Sequence, residues 1–256
     1  MKGLAVQVQT DPKIVIVARE VKIPVIACGS RWLVVDKPCG LSIHNDPGSD
    51  LCSLALAAVR AGRLPAMRRD LPVMHAVHRI DRDTSGIVLL AGDTETLAYF
   101  GAQFADKGVG KLYLAVVHGL LEEPVAGQEW IEWNWPLTEA AAGRKDPMGQ
   151  GKRVPCTTHC RVLAHSVHYS LIECQPLTGR KHQIRRHAKL AGHPIAGDRR
   201  YGSASSLAYL SRHHDFNRLA LHAHCLTLRL PGETQDTTFK SGGLPEAMRK
   251  LLEIDR

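Results

Sequence analysis

At 256 residues the chain is long enough to bury a sizeable core, as one large domain or two small ones. A hydrophobic share of 44% with charges of both signs excludes a disordered or fibrous chain, and the 33 Lys plus Arg against 25 Asp plus Glu, a surplus of 33 − 25 = 8, favours a polyanionic partner such as nucleic acid, although excess charge also serves solubility. Seven scattered cysteines, an opening Met1 to Thr10 without a continuous apolar run, and no apolar stretch of membrane-spanning length lead us to expect a reducing cytoplasm and no membrane contact.

Ile14 to Ala18, Val21 to Ala27 and Arg31 to Asp36 are expected strands. The last runs into Lys37-Pro38-Cys39-Gly40, a turn in which proline fixes one dihedral and glycine permits an unusual one. Leu51 to Ala61 has helical spacing and is closed by Gly62; the basic, proline-containing residues 63 to 72 form a loop. Next comes the crowded polar run His78-Arg79-Ile80-Asp81-Arg82-Asp83-Thr84-Ser85-Gly86, feeding the apolar strand Ile87 to Leu90. That strand pins the end of the loop to a core, which fixes the charges in place.

Asp93 is an expected N-cap, with Leu97, Phe100 and Phe104 at helical spacing until Gly108 and Gly110. Lys111 to Gly119 is a strand, and Trp130, Trp133 and Trp135 lie in another extended segment. Residues 139 to 153, with Arg144, Lys145, Lys152 and Arg153 among glycines, are expected to be a mobile basic loop. Thr157 to Leu163 and Tyr169 to Gln175 form a strand pair. Thr178-Gly179-Arg180 opens a helix to about Leu190, Leu219 to Leu230 is a strand, and Pro245 to Leu252 a closing helix. Strands in neighbouring runs with interposed helices imply an α+β fold with a mainly antiparallel sheet.

From Arg180 to Arg200 there are seven Lys or Arg residues and one acid, Asp198. Cations at a helix start oppose the helix dipole unless an anion sits nearby, and phosphate is the natural candidate. Most of these cations are expected to be exposed. With Ile184 and Leu190 toward the core, Arg185 falls near the buried edge, where a guanidinium needs a carboxylate. Pairing it with Asp81 would keep that acid ionised and fix its rotamer, whether the pair is structural or functional. Tyr113, on an adjacent strand, offers a ring for a base to stack on and a hydroxyl for proton transfer.

His78-Arg79-Ile80-Asp81-x-x-Thr84-Ser85-Gly86 closely resembles the signature of the RluA-like pseudouridine synthases. The likeness continues in Lys37-Pro38-x-Gly40, Lys111-x-Tyr113-x-Ala115-x-Val117-x-Gly119 and Thr178-Gly179-Arg180-x-His182-Gln183-Ile184-Arg185. It extends to Gly192-His193-Pro194-Ile195-x-Gly197-Asp198 and Leu221-His222-Ala223, in the family's order over roughly residues 25 to 230. The resemblance implies a mixed, mostly antiparallel sheet with flanking helices and a central RNA-binding cleft. It implies an isomerase that converts uridine to pseudouridine in ribosomal or transfer RNA without cofactor or metal.

Carried over, Asp81 would be the catalytic aspartate, Tyr113 the active-site tyrosine, and Arg185 the cation paired with Asp81. Arg79 would help expel the target nucleotide, Ile184 would line the base pocket, and Arg180, His182 and Gln183 would contact the substrate. Asp81 as nucleophile and Asp81 as base both stay open. Residues 1–24 are expected to be an N-terminal extension without the S4 domain that members often carry, and 25–256 the catalytic domain of a monomer.

Three other readings compete. Asp83-Thr84-Ser85-Gly86 suggests an aspartic protease, but there is no second copy to share a proton and the glycine falls one position late. Cys156, His159, Cys160, His165 and His168 suggest zinc, but they occupy a strand start whose side chains alternate in direction, unlike the compact paired turns of zinc sites. The remaining alternative is an RNA-binding protein that keeps the scaffold without catalysis. Phosphate binding alone has no use for a carboxylate, so Asp81, Tyr113 and Arg185 together favour the enzyme.

Overall fold

The computed structural model describes residues 6–8, 14–18, 21–124 and 127–255. In chain order the elements begin with β1 (Val6–Val8), β2 (Val15–Ala18), β3 (Val21–Cys28), β4 (Trp32–Lys37) and α1 (Leu51–Arg60). They continue with β5 (His75–Ala76), β6 (Ser85–Ala91), α2 (Thr94–Ala105), β7 (Gly110–His118), β8 (Ile131–Trp133), β9 (Leu137–Thr138) and β10 (Arg153–Val154). The remainder is β11 (Thr158–His165), β12 (Tyr169–Pro176), α3 (Gln183–Leu190), α4 (Ala204–His214), β13 (Leu221–Arg229), β14 (Asp236–Lys240) and α5 (Glu246–Ile254). This is the expected α+β fold: the pairings along β2-β3-β4-β6 and β7-β12-β11-β8, and those of β5 with β6, β13 with β14 and β9 with β10, are antiparallel, whereas β1 runs parallel to β14.

The chain divides into two compact units, residues 1–111 with 223–243 and residues 112–222 with 244–256. The expected N-terminal extension, 1–24, falls partly outside the described residues. In the first unit β2, β3, β4, β6 and β13 are successive sheet neighbours, with β5 on β6 and β14 on β13. β6 is buried along its whole length because it is covered on both faces. Leu33, Val35, Val88 and Leu90 pack with α1 residues Leu51, Ala55 and Val59. Val34, Ile87 and Leu89 pack with Phe100 of α2 and Phe239 of β14. A strand buried on both faces loses polar alternation, which is why Ile87 to Leu90 is a continuous apolar run.

In the second unit the order is β7-β12-β11-β8, all antiparallel, with the hairpin β9–β10 beside it. Ala115, Val117, Ile172 and Cys174 pack with Ile184 and Ala188 of α3 and Met248 and Leu251 of α5. Asp255 pins the end of α5: its carboxylate accepts from the His168 main-chain N–H (2.7 Å) and the Ser166 hydroxyl (2.7 Å).

Three expectations need correction. α3 begins at Gln183, not Thr178, because residues 178–182 turn instead and His182 takes a left-handed conformation (φ 56°). Its cations are not mostly exposed, since Arg185 and Arg186 are buried and Arg180 and Lys189 are half-buried. The 139–153 loop is not a free basic loop, because its main chain is held by the buried Arg186. α4 and β14 were not anticipated. No helix among the described residues is long and apolar enough to cross a membrane.

Candidate active site

In the first unit the Asp81 loop is stitched to the Lys37–Gly40 turn. The Lys37 side chain is wholly buried, and its ammonium donates to the carbonyls of Pro38 (3.0 Å), Leu41 (2.9 Å) and Arg82 (2.9 Å). Gly40 N–H donates to Arg82 O at 3.0 Å, and Arg82 Nε returns a bond to Gly40 O at 2.9 Å. The Cys39 thiol donates to Asp83 O. These bonds bracket Asp81, whose own carbonyl accepts from Thr84 N–H (3.1 Å), while Ile80 packs on the unit's core. The spacing Lys-Pro-x-Gly thus encodes a clamp on a loop more than forty residues later.

The loop ends at Gly86, which has φ +113°. A Cβ there would lie 2.3 Å from the main-chain oxygen of Ala223, so only glycine permits this approach. His78 is structural. Its Nε2 accepts from Leu89 N–H (3.1 Å) and its ring stacks on Phe104 at 5.0 Å. Burial, with the nearby Lys111 charge, pushes its pKa down to about 3, so it is neutral at physiological pH. Arg79 is exposed and has no hydrogen-bond or ion-pair partner among the described residues.

In the second unit Tyr113 is half-buried on β7, opposite Cys174, and packs against the unit's core. Arg185 forms a two-point contact with Asp198, Nε to Oδ2 at 2.8 Å and Nη2 to Oδ1 at 2.9 Å, both side chains buried. Its guanidinium lies 5.3 Å from the ring centroid of the wholly buried Tyr201. Asp198 also accepts from the main-chain N–H groups of Arg200 and Tyr201. Burial alone raises the Asp198 pKa; the Arg185 bonds and charge, with those two donors, outweigh it and hold the carboxyl below its usual range. Arg185 is thereby fixed before any substrate arrives. Sequence reasoning passed over Asp198 as a site residue, although it is the one acid among seven cations.

The other predicted residues surround the same segment. His182 Nδ1 meets the Tyr201 hydroxyl at 3.0 Å. Gln183 is buried and its amide is fully occupied: Nε2 donates to Thr157 O and Thr158 Oγ1, and Oε1 accepts from Thr178 Oγ1 and Arg180 N–H. Thr158 continues the network to His187 Nδ1, and His187 Nε2 donates to Trp135 O. Gln183, predicted to contact substrate, therefore serves as the brace of the 178–182 turn. Ile184 is buried in the core cluster. Arg180 carries a buried Nε with no partner.

Residues 31–190 match the RNA pseudouridylate synthase family model. The chain belongs to this family. It is 37% identical over 228 residues to "Ribosomal large subunit pseudouridine synthase C" of Vibrio vulnificus (strain CMCP6), covering 86% of this chain and 65% of that protein. The same-named protein of Escherichia coli (strain K12) is 33% identical over 230 residues, 86% of this chain and 66% of its own length. The chain thus spans just under two thirds of these relatives. The solved human RNA Pseudouridylate Synthase Domain Containing 4 shares the fold, with a TM-score of 0.66 and 24% identity over 90% of this chain and 92% of that one.

The synthase-family segment carries all eight predicted site residues, Asp81 and Arg79 in the first unit and the other six in the second. The zinc alternative finds no support in the geometry. Cys156 Sγ donates to Trp135 O, Cys160 Sγ lies 3.5 Å from Cys174 Sγ, and His159 faces Glu132. Among the described residues no three His, Cys, Asp or Glu are grouped to hold a metal.

Proposed function

We propose that the chain is an RNA pseudouridine synthase acting on ribosomal RNA of the large subunit, with Asp81 as its catalytic carboxylate. The family match over residues 31–190 carries this reading, because that segment contains Asp81, Tyr113 and Arg185 in the family's order. The names of the relatives, ribosomal large subunit pseudouridine synthases, support the choice of ribosomal RNA over transfer RNA.

In the proposed reaction the C1′–N1 bond of uridine breaks, the uracil turns, and C5 bonds to C1′. The C5 proton leaves to solvent and N1 regains a proton, so no electrons are exchanged and none need to be supplied. Asp81 attacks C1′ or removes the proton that starts glycal formation. Arg185 is the cation that pairs with Asp81 in this reading. The two-point contact with Asp198 supports this role, since a cation fixed in advance needs no reorganisation during reaction.

Tyr113 stacks on the freed base and assists loss of the C5 proton. Ile184 lines the base pocket, while Arg180 and His182 meet the substrate next to it. Exposed and without a partner among the described residues, Arg79 helps expel the target uridine from its stack, a step that costs a few kcal/mol in order of magnitude.

The test is tritium release from C5-labelled uridine in unmodified transcripts of large-subunit ribosomal RNA and of transfer RNA. Release from the ribosomal transcript alone is the expected result. Release from transfer RNA alone would reassign the substrate, and no release from either would contradict the isomerase.

A further inference from the structure

Arg186 follows Arg185 on α3 but faces a different neighbour. It is wholly buried, and its guanidinium donates to five main-chain carbonyls. Nε reaches Pro147 O at 2.5 Å and Nη2 reaches Met148 O at 2.6 Å. Nη1 reaches Thr138 O at 2.9 Å, Ala140 O at 3.4 Å and Lys181 O at 3.3 Å. Three of these carbonyls, Ala140, Pro147 and Met148, belong to the β9–β10 connection, and a fourth is Thr138, the last residue of β9. The planar fork of one arginine therefore holds both ends of the loop it brackets.

The loop has further built features. Gly149 (φ +82°) packs so closely on Thr138 that a Cβ would lie 2.1 Å from its hydroxyl oxygen, and Gly149 N–H donates to Asp146 Oδ1. Arg200 clips the other side, with Nε donating to Ala142 O at 2.7 Å. Between them lies an open pocket of about 610 Å³ lined by Arg144, Lys145, Arg200 and Asp146. Arg144, Lys145 and Arg200 are exposed and none has a carboxylate partner among the described residues. Asp146 directs a carboxylate oxygen to the loop's own main chain. Three cations thus line the pocket against a single carboxylate, leaving a net positive charge.

We infer that this pocket is a phosphate-binding subsite for the RNA substrate, and that Arg186 is the positioning residue that presents it. The inference rests on the RNA-modifying reading above. Arg186 itself is enclosed and reaches no phosphate, so its effect on RNA passes through the loop. Because Arg185 and Arg186 are consecutive on one helix, the segment that carries the proposed catalytic cation also sets the shape of the phosphate subsite.

The experiment reads binding, not turnover: fluorescence anisotropy with an unmodified transcript of large-subunit ribosomal RNA between about 50 and 200 mM NaCl. The exposed pair Arg144→Gln/Lys145→Gln should weaken binding several-fold and lower the log–log salt slope by about 1.5 in magnitude, as two lost phosphate contacts require. Arg186→Gln, checked for folding by circular dichroism, should lower the slope similarly although the residue touches no RNA. Arg186→Lys should behave like Arg186→Gln, because one ammonium cannot span the Pro147 and Thr138 carbonyls. An unchanged slope in the Arg144→Gln/Lys145→Gln variant would overturn the subsite. A full slope in Arg186→Gln or Arg186→Lys would overturn the positioning role. RNA binding with these slopes but no tritium release would contradict the isomerase alone; isomerisation with unchanged slopes would contradict this inference alone.

Discussion

Each unit holds a loop on a wholly buried cation that donates to main-chain carbonyls, but the two do so differently. Lys37 gathers three carbonyls, from Pro38, Leu41 and Arg82, around one ammonium. Arg186 spreads five carbonyls over a planar fork. A compact point charge suits a tight convergence, and so it ties a short turn to the Asp81 loop. A rigid fork spans a wider gap, so it brackets a connection of more than a dozen residues. The Lys37 clamp holds a carboxylate beside a fully buried strand; the Arg186 bracket presents exposed cations. The first arrangement fixes a position, and the second shapes a surface.

The largest effect should come from the first unit. Gly86→Ala drives a Cβ into the Ala223 main chain at a positive φ, which neither strand can relieve without moving. A loss of about 3 kcal/mol or more, or failure to fold, is expected in urea titration. Lys37→Met keeps length but leaves the three carbonyls without their donor, for a loss of about 3 kcal/mol. Arg186→Gln should cost less, about 1–2 kcal/mol, because water can reach the half-exposed loop carbonyls at Ala140, Pro147 and Met148. Equal losses for Lys37→Met and Arg186→Gln would erase the distinction between the two brackets.

Asp198→Asn sharpens the comparison in another way, since Arg185 has a carboxylate and Arg186 does not. The substitution keeps the shape but removes the charge that orients Arg185. The expected outcome is a fall of about 10- to 100-fold in kcat with little change in KM, a split that mere loosening of the fold would not give.

A separate effect is on pH dependence. The His78 pKa of about 3 lies below its ordinary 6.5, so the unfolded chain binds an extra proton between those values. Stability from keeping His78 neutral is therefore full above pH 6.5 and is lost as pH falls toward 3. His118 and His187, both lowered chiefly by burial, add the same sign. The urea midpoint should fall from pH 7 to 5, each histidine contributing at most about 1.4 kcal/mol per pH unit. His78→Gln should flatten part of that slope; a midpoint that rises on acidification would contradict the assignment.

Much of this architecture was legible in the sequence. The alternation and apolar runs of β3, β4, β6, β7, β11 and β12 place those strands within one or two residues, and Asp93 caps α2 through Thr96 N–H as its position implies. α4 was not read, because Leu210 is its one buried residue and its serine-rich face leaves almost no apolar period. The capping of Ser206 N–H by Ser203 was the available signal. α3 failed differently. Charged side chains on it are buried by partners far away in sequence, and no periodicity reports that Arg186 will meet the carbonyls of residues 138–148. Arg185 was placed near the buried edge from its neighbours, but its partner Asp198 depends on a turn formed by residues 195–201.

The central claim is that Asp81 performs the chemistry on an RNA the chain holds by other means. Single-turnover conversion of a large-subunit ribosomal RNA transcript by Asp81→Asn tests it most directly, with RNA affinity measured on the same preparation. The account predicts an affinity within about 2-fold of the unaltered chain and pseudouridine formation slowed by about 10³-fold or more. Conversion at the unaltered rate would remove Asp81 from the reaction.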